Sequence, residues 1–253
     1  MTAAADMTCL AGWMAFDVGR NGLAQRHFAQ ALRMAKAADD SVMAGWILGV
    51  MSHQAIYLDR PTEALRLANA AADAARQANA PARLTGRLAL GSQALATALV
   101  VRHADTNDLH TVRQVERLLG EAERAYAQEP TDREPAWLPP YDSTKIVSEA
   151  ARSWHMLGRH QRAIERAEAA LGAQKGTTRS AQLARINAAE AYLGAAELEQ
   201  ALDHAGAVIP TIPSLSSPRL TGRVRRFAAT LEPYGDHVGV RAFREQVRAQ
   251  AAA

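Results

Sequence analysis

The side chains best suited to chemistry in this chain are one histidine in a polar setting and a scatter of carboxylates and arginines. His53 is flanked by Ser52, Gln54 and Tyr57, and an imidazole so placed can exchange protons near neutral pH. Asp17, Glu134, Asp142, Glu149 and Glu190 could supply an acid–base pair, with Arg152 available to stabilise an anion. An enzyme built on this chain would draw on His53, Tyr57, Asp17 and Arg152 as its catalytic residues. No local motif binds them together: GxSxG, GxxxxGK[ST] and GxGxxG are all absent. The eight histidines show no HxxxH or HExxH spacing, so neither a metal nor a cofactor is expected from any local signature. Cys9 is the only cysteine, which excludes an intrachain disulfide and a cysteine zinc site and agrees with a reducing compartment.

Composition describes the scaffold that must position these groups. Apolar residues make up 48% of the 253 positions but aromatics only 5%. With alanine dominant, burial must come from many closely approaching helices rather than from large side chains. Net charge is +3, too small for a sequence-independent nucleic-acid binder. Arg219, Arg223, Arg225, Arg226, Arg241, Arg244 and Arg248 gather near the C-terminus, where they read as the solvated faces of the last helices. No stretch approaches the roughly 18 apolar residues of a membrane span, and the N-terminus lacks the features of a signal peptide. The chain is expected to be soluble and cytoplasmic, with no membrane partner.

An internal repeat organises the helices. GRNGLAQRHFAQALRMA places Ala24, Phe28, Ala31, Leu32 and Ala35 along one helical face. DRPTEALRLANAAADAA repeats the pattern at Ala64, Ala68, Ala71 and Ala75, GRHQRAIERAEAALGA at Ala163, Ala167, Ala170 and Leu171, and AELEQALDHAGAVI at Ala201, Ala205, Val208 and Ile209. Each such helix follows a tight turn and another apolar helix, so the unit is helix, turn, helix. Gly19, Gly22, Asp59-Arg60-Pro61 and Gly158 supply turn chemistry. The stretch EPTDREPAWLPPYD, with Pro130, Pro135, Pro139 and Pro140, must be a loop.

These units resemble the tetratricopeptide repeat, carried by Gly12, Ala24, Phe28 and Ala31 in the first, Trp154 and Ala163 near 145–173, and Tyr192 and Ala201 in the next. The resemblance implies an all-α, tetratricopeptide-like right-handed helical solenoid of about five helix pairs plus C-terminal capping helices. One solenoid domain spans 1–253: three pairs over 1–128, a proline-rich loop over 129–142, two pairs over 143–212 and capping helices over 213–253. Val224, Phe227, Leu231, Val240 and Phe243 are expected to face inward from the cap, with its arginines outward.

Longer phrases, among them LAGWMAFDVGRNGLAQRHFAQALRMA, EPAWLPPYD and RVRRFAATLEPYGDHVGVRAFREQV, resemble the tetratricopeptide sensor half of actinobacterial repressor-type helix-turn-helix transcription regulators. In that family an N-terminal domain binds DNA and the repeats are thought to sense a ligand or mediate assembly. The chain starts about where the repeats start, so it is expected to be an excised regulatory half or a stand-alone relative, without direct nucleic-acid contact. Its uncapped first helix would be the place for a homodimer contact.

In such a solenoid the first helix of each pair lines the concave face. The register then places Cys9, Trp13, Phe16 and Asp17 there from the first unit and Trp46, His53 and Tyr57 from the second. Gln93 follows from the third, Lys145, Arg152 and His155 from the fourth, and Glu190 from the fifth. Trp137 and Tyr141 of the proline-rich loop are expected to fold back onto it. This mix of aromatic and polar groups suits a peptide, a small organic effector or a protein partner. A regulatory or interaction module is therefore favoured, and a stand-alone enzyme of specialised metabolism using the same groove is the alternative. An open groove would suit peptides, whereas an enclosed chamber beside His53 and Tyr57 would suit a small molecule or catalysis.

Overall fold

The computed structural model describes residues 2–80, 82–104, 108–128, 135, 137, 143–174 and 178–252. Among these, all regular structure is helical. Four pairs follow a simple pattern: α1 (Thr2–Asp17) with α2 (Asn21–Ala37), α3 (Ser41–Tyr57) with α4 (Pro61–Gln77), and, further on, two more of the same kind. In the third unit α5 (Ala82–Thr85), a π-helical turn (Gly86–Leu90) and α6 (Gly91–Ala104) follow one another without a break, and α7 (Leu109–Tyr126) packs against them. Next come α8 (Ser143–Met156) with α9 (His160–Ala173) and α10 (Arg179–Gly194) with α11 (Leu198–Gly206). The short α12 (Ile212–Leu215) leads into α13 (Pro218–Thr230) and α14 (Val238–Ala252). The chain is an all-α helical-repeat solenoid.

The turns within and between pairs share one device. Gly19, Asp39, Asp59, Asn79, Gly158 and Ala196 all adopt a left-handed conformation, with φ between 46° and 77°. The next residue's N–H then returns to a carbonyl five positions back, as in Arg20 to Ala15 at 2.8 Å and Glu197 to Tyr192 at 2.9 Å. This motif satisfies carbonyls that the helix end leaves unpaired and reverses the chain sharply. Pro61 then opens α4 at a position where no N–H is required.

Burial separates inner from outer helices. In α2 only Ala24, Phe28, Ala31 and Ala35 are buried, a single stripe, whereas ten of the 17 residues of α3 are buried. An outer helix packs on one side; an inner one is covered on nearly all sides. Small residues allow the close approach. Ala64, Ala68, Ala71 and Ala75 are fully buried, and Ser52 reaches the Ala64 carbonyl at 2.9 Å. Where a large residue is used, its neighbour is bare: a Cβ on Gly12 would stand 2.5 Å from the Phe28 ring.

The stack closes on itself. Helix α13 packs against α10 and α14 and also reaches α1. Arg219 lies 3.4 Å from Asp17, its guanidinium is 5.2 Å from the centre of the Phe16 ring, and Pro218 sits beside Gly19. Arg179 of α10 takes the other Asp17 oxygen at 2.8 Å. The solenoid therefore bends until its last turns meet its first, and an interior space is left at its axis. On the outside of α1, Met7, Leu10, Met14 and Val18 remain exposed. Val224, Phe227, Leu231, Val240 and Phe243 are buried in the C-terminal core.

Candidate functional site

The axial space has two lobes. The first, of about 400 Å³, is bordered by α1, α3, α8, α10 and α13 and includes Trp13, Trp46, His53, Lys145 and Glu149. The second, of about 530 Å³, includes Asp59, Arg102, His155, Glu190 and Arg226. Tyr57, Arg152 and Arg223 border both, so they form the partition between the lobes.

Aromatic packing fixes one wall. Trp13 lies 5.7 Å from both Phe16 and His53, and Phe16 meets Tyr57 edge-on at 5.1 Å. Trp46 lies 6.5 Å from Trp137 and carries the Lys145 ammonium 5.5 Å above its ring. These amphipathic rings arise because α1 and α3 are inner helices: one side meets the core while a tip reaches the cavity.

Cations pack among these rings, Arg219 lying 6.0 Å from the centre of the Trp13 ring. Arg223 donates to Glu190 at 2.7 Å and to the Asn187 side chain at 3.0 Å. Arg219 pairs with Asp17, and Lys145 stands 3.9 Å from Glu149. Among the described residues Arg152 makes neither a hydrogen bond nor an ion pair, and its charge faces Glu190 and Glu149 only at longer range. It is half-buried and borders both lobes.

This field sets protonation. Burial holds His53 well below its usual value, and Arg219, Arg152, Lys145 and Arg223 add to the effect. The ring is therefore neutral at physiological pH. Burial likewise brings the Arg152 guanidinium down to about 9 and raises the Glu149 carboxyl, against the opposing pull of Lys145 and Arg152. Burial also pushes Glu190 up, but Arg223, His155 and Arg152 together outweigh it and leave its carboxyl below the ordinary range. One cavity region thus holds a neutral imidazole, a carboxyl raised above its ordinary range and another lowered below it.

Of the residues expected at the site, Trp13, Trp46, His53, Tyr57, Lys145 and Arg152 border the first lobe and Glu190 the second. Asp17 and Phe16 stand directly behind, holding Arg219. Trp137 backs Trp46, while Tyr141 lies outside the described residues. Gln93 borders neither lobe and instead donates to Asn69 of α4 at 3.0 Å. The expected lane through the third unit is therefore interrupted there. Cys9 is core, with its thiol pushed up to about 12 by burial and the nearby Asp6, which removes it as a nucleophile.

The larger correction concerns α13. Arg219 and Arg223 were expected to face solvent, but they point inward because α13 crosses to α1 and is covered on a second face. Their spacing of four, continued by Arg226, which lies 4.4 Å from the Tyr57 ring centre, marks one basic stripe beside the apolar one of Val224 and Phe227. That stripe was the available signal. Among the described residues no group of three His, Cys, Asp or Glu side chains could hold a metal ion, and no helix is long and apolar enough to cross a membrane.

No protein-family model matches the chain, and no curated protein matches it. Among solved structures it is similar to a putative kinesin light chain of Podosopora anserina with nearly identical TPR-like repeats. Identity is 16%, the TM-score is 0.45, and the alignment covers 81% of this chain and 93% of that one. A variant of that same kinesin light chain carrying one substitution gives a TM-score of 0.46 at the same identity and coverage. The structures likened to this chain are TPR-like repeat proteins, and the fold assigned to it rests on its own helix pairs.

Proposed function

We propose that this protein is a regulatory binding module that takes a small organic effector into its axial chamber. The observation that carries this reading is the contact of α13 with α1, which walls a further side of the groove and leaves a cavity of about 400 Å³. Such a volume suits a drug-sized molecule, whereas an extended peptide needs an open channel. Aromatic rings and fixed charges lining one cavity provide both burial and orientation. The segments that resemble sensor halves of helix-turn-helix regulators support a role in transcriptional control, with binding energy biasing one curvature of the solenoid over another.

The test compares low-molecular-mass metabolite extracts with a random peptide pool, read by thermal shift and native mass spectrometry. A retained small molecule whose binding weakens in Trp46→Ala supports the reading. Retention of peptides alone by the folded protein, or of nothing at all, rejects it.

A second reading, acid–base catalysis in the same chamber, is favoured by one observation. Glu149 and Glu190 are driven in opposite directions across the Arg152 partition, the pattern that separates an acid from a base. Conversion of a metabolite by the protein, lost in Glu149→Gln, would favour it over simple binding.

A further inference from the structure

We infer that the chamber is built for an organic anion, its anionic head on Arg152 and its apolar body in the lobe of Trp13 and Trp46. This rests on the chamber being a small-molecule site and deepens that reading by naming the ligand class.

Charge accounting within the cavity carries the inference. Arg219 and Arg179 share the single carboxylate of Asp17, and Glu190 pairs with Arg223. Glu149 stands near Lys145 at 3.9 Å. Among the described chamber cations Arg152 and Arg226 have no carboxylate in contact; Arg226 is exposed and lies over the Tyr57 ring, whereas Arg152 sits at the partition where both lobes reach it. An unpaired half-buried guanidinium is costly unless an anion completes it. Cations outnumber carboxylates around the cavity, so the field favours an anion. The planar guanidinium fork fits two oxygens of a carboxylate or a phosphate.

The rest of the ligand follows from the neighbouring wall. Trp13 and Trp46 flank a region where Leu183 and Ala184 supply apolar contact, so a flat hydrocarbon or aromatic body is accommodated there. Neutral His53, 5.7 Å from Trp13, can give or accept one hydrogen bond without adding charge. A free amino acid fits poorly: its ammonium would meet Lys145, Arg152, Arg219 and Arg223.

The probes are 2-naphthoate, 2-naphthamide of the same shape without the charge, and 2-naphthyl phosphate, each titrated against the full chain by tryptophan fluorescence and calorimetry. The expected result is that 2-naphthoate or 2-naphthyl phosphate binds at least tenfold more tightly than the amide, the tighter of the two naming the headgroup. Arg152→Met keeps the stem and removes the buried charge, so it should fold, as circular dichroism can verify, and lose the preference for the anion over the amide. Arg152→Lys should retain part of it. Equal binding of both anions and the amide, or an undiminished preference in Arg152→Met, overturns the anion assignment while leaving a small-molecule chamber in place. Failure of every probe to bind the folded protein overturns it as well, and the metabolite-extract experiment then decides separately whether the chamber binds small molecules at all.

Discussion

The buried carboxylate of Glu149 lies against the bare Cα of Gly91, so close that no Cβ could be placed there without moving it. Gly91 is the first residue after the π-helical turn, and α8 packs on α6 at this point. The glycine therefore makes room for a chamber carboxyl rather than for a bend. Gly91→Ala should cost about 1–3 kcal/mol through overpacking. In urea denaturation the double variant Gly91→Ala/Glu149→Ala should lose less than the sum of the single changes, and strict additivity would show that the two residues are not in contact.

Glu149 should also make stability depend on pH. Its carboxyl is raised in the fold by burial, so the folded chain holds a proton that the unfolded chain has released once pH exceeds the ordinary value of 4.5. Stability from this group is greatest below that value and falls as pH rises through the raised one. Glu149→Gln should therefore melt higher than the parent at pH 7, with the difference vanishing near pH 4. A constant difference across that range would remove burial of the charge as its cause.

His53 acts in the opposite sense. Burial and the facing cations Arg219, Arg152, Lys145 and Arg223 keep it neutral in the fold, while the unfolded chain gains a proton near the ordinary value of 6.5. Stability is thus fully present above about 6.5 and declines as pH falls toward the depressed folded value. His53→Gln should flatten the stability profile between about pH 6.5 and 5. The remaining slope should come from His155 and His160, which burial also lowers. An unchanged slope would place the acid sensitivity wholly on those two.

Ala196 offers a gain. It occupies the left-handed turn position at φ 63°, where Gly19 and Gly158 stand in equivalent turns. A Cβ is strained in that conformation, so Ala196→Gly should stabilise by about 0.5–1 kcal/mol despite the added freedom of the unfolded chain. A loss of stability would mean that the alanine methyl makes contacts that outweigh its strain.

Much of the fold could be read because a repeat states its register several times over. Ala24, Ala64 and Ala163 fall at like positions and all are fully buried. The inner helices supplied most of the chamber residues for the same reason. What could not be read was closure. Nothing local to Arg219 says that Asp17, some two hundred positions earlier, will face it, and a helix read as a cap gives its polar stripe to water. Gln93 failed differently: the π-helical turn before Gly91 alters the helical phase, so a register carried over from regular units no longer applies. Arg152 was legible as a position, but its lack of a partner depends on where every other charge is placed.

Meeting of the first and last turns also bears on how the molecule comes apart. A repeat array joined only unit to unit frays from either end, each unit melting nearly by itself. Here the ion pairs of Asp17 with Arg179 and Arg219 tie the opening helix to elements beyond residue 178, so neither end is free to peel. The whole molecule should behave as one cooperative block, its amides in α1 exchanging with solvent about as slowly as those in α8. Folding should be correspondingly slow for an all-helical chain, since the contacts that lock it join its most distant segments.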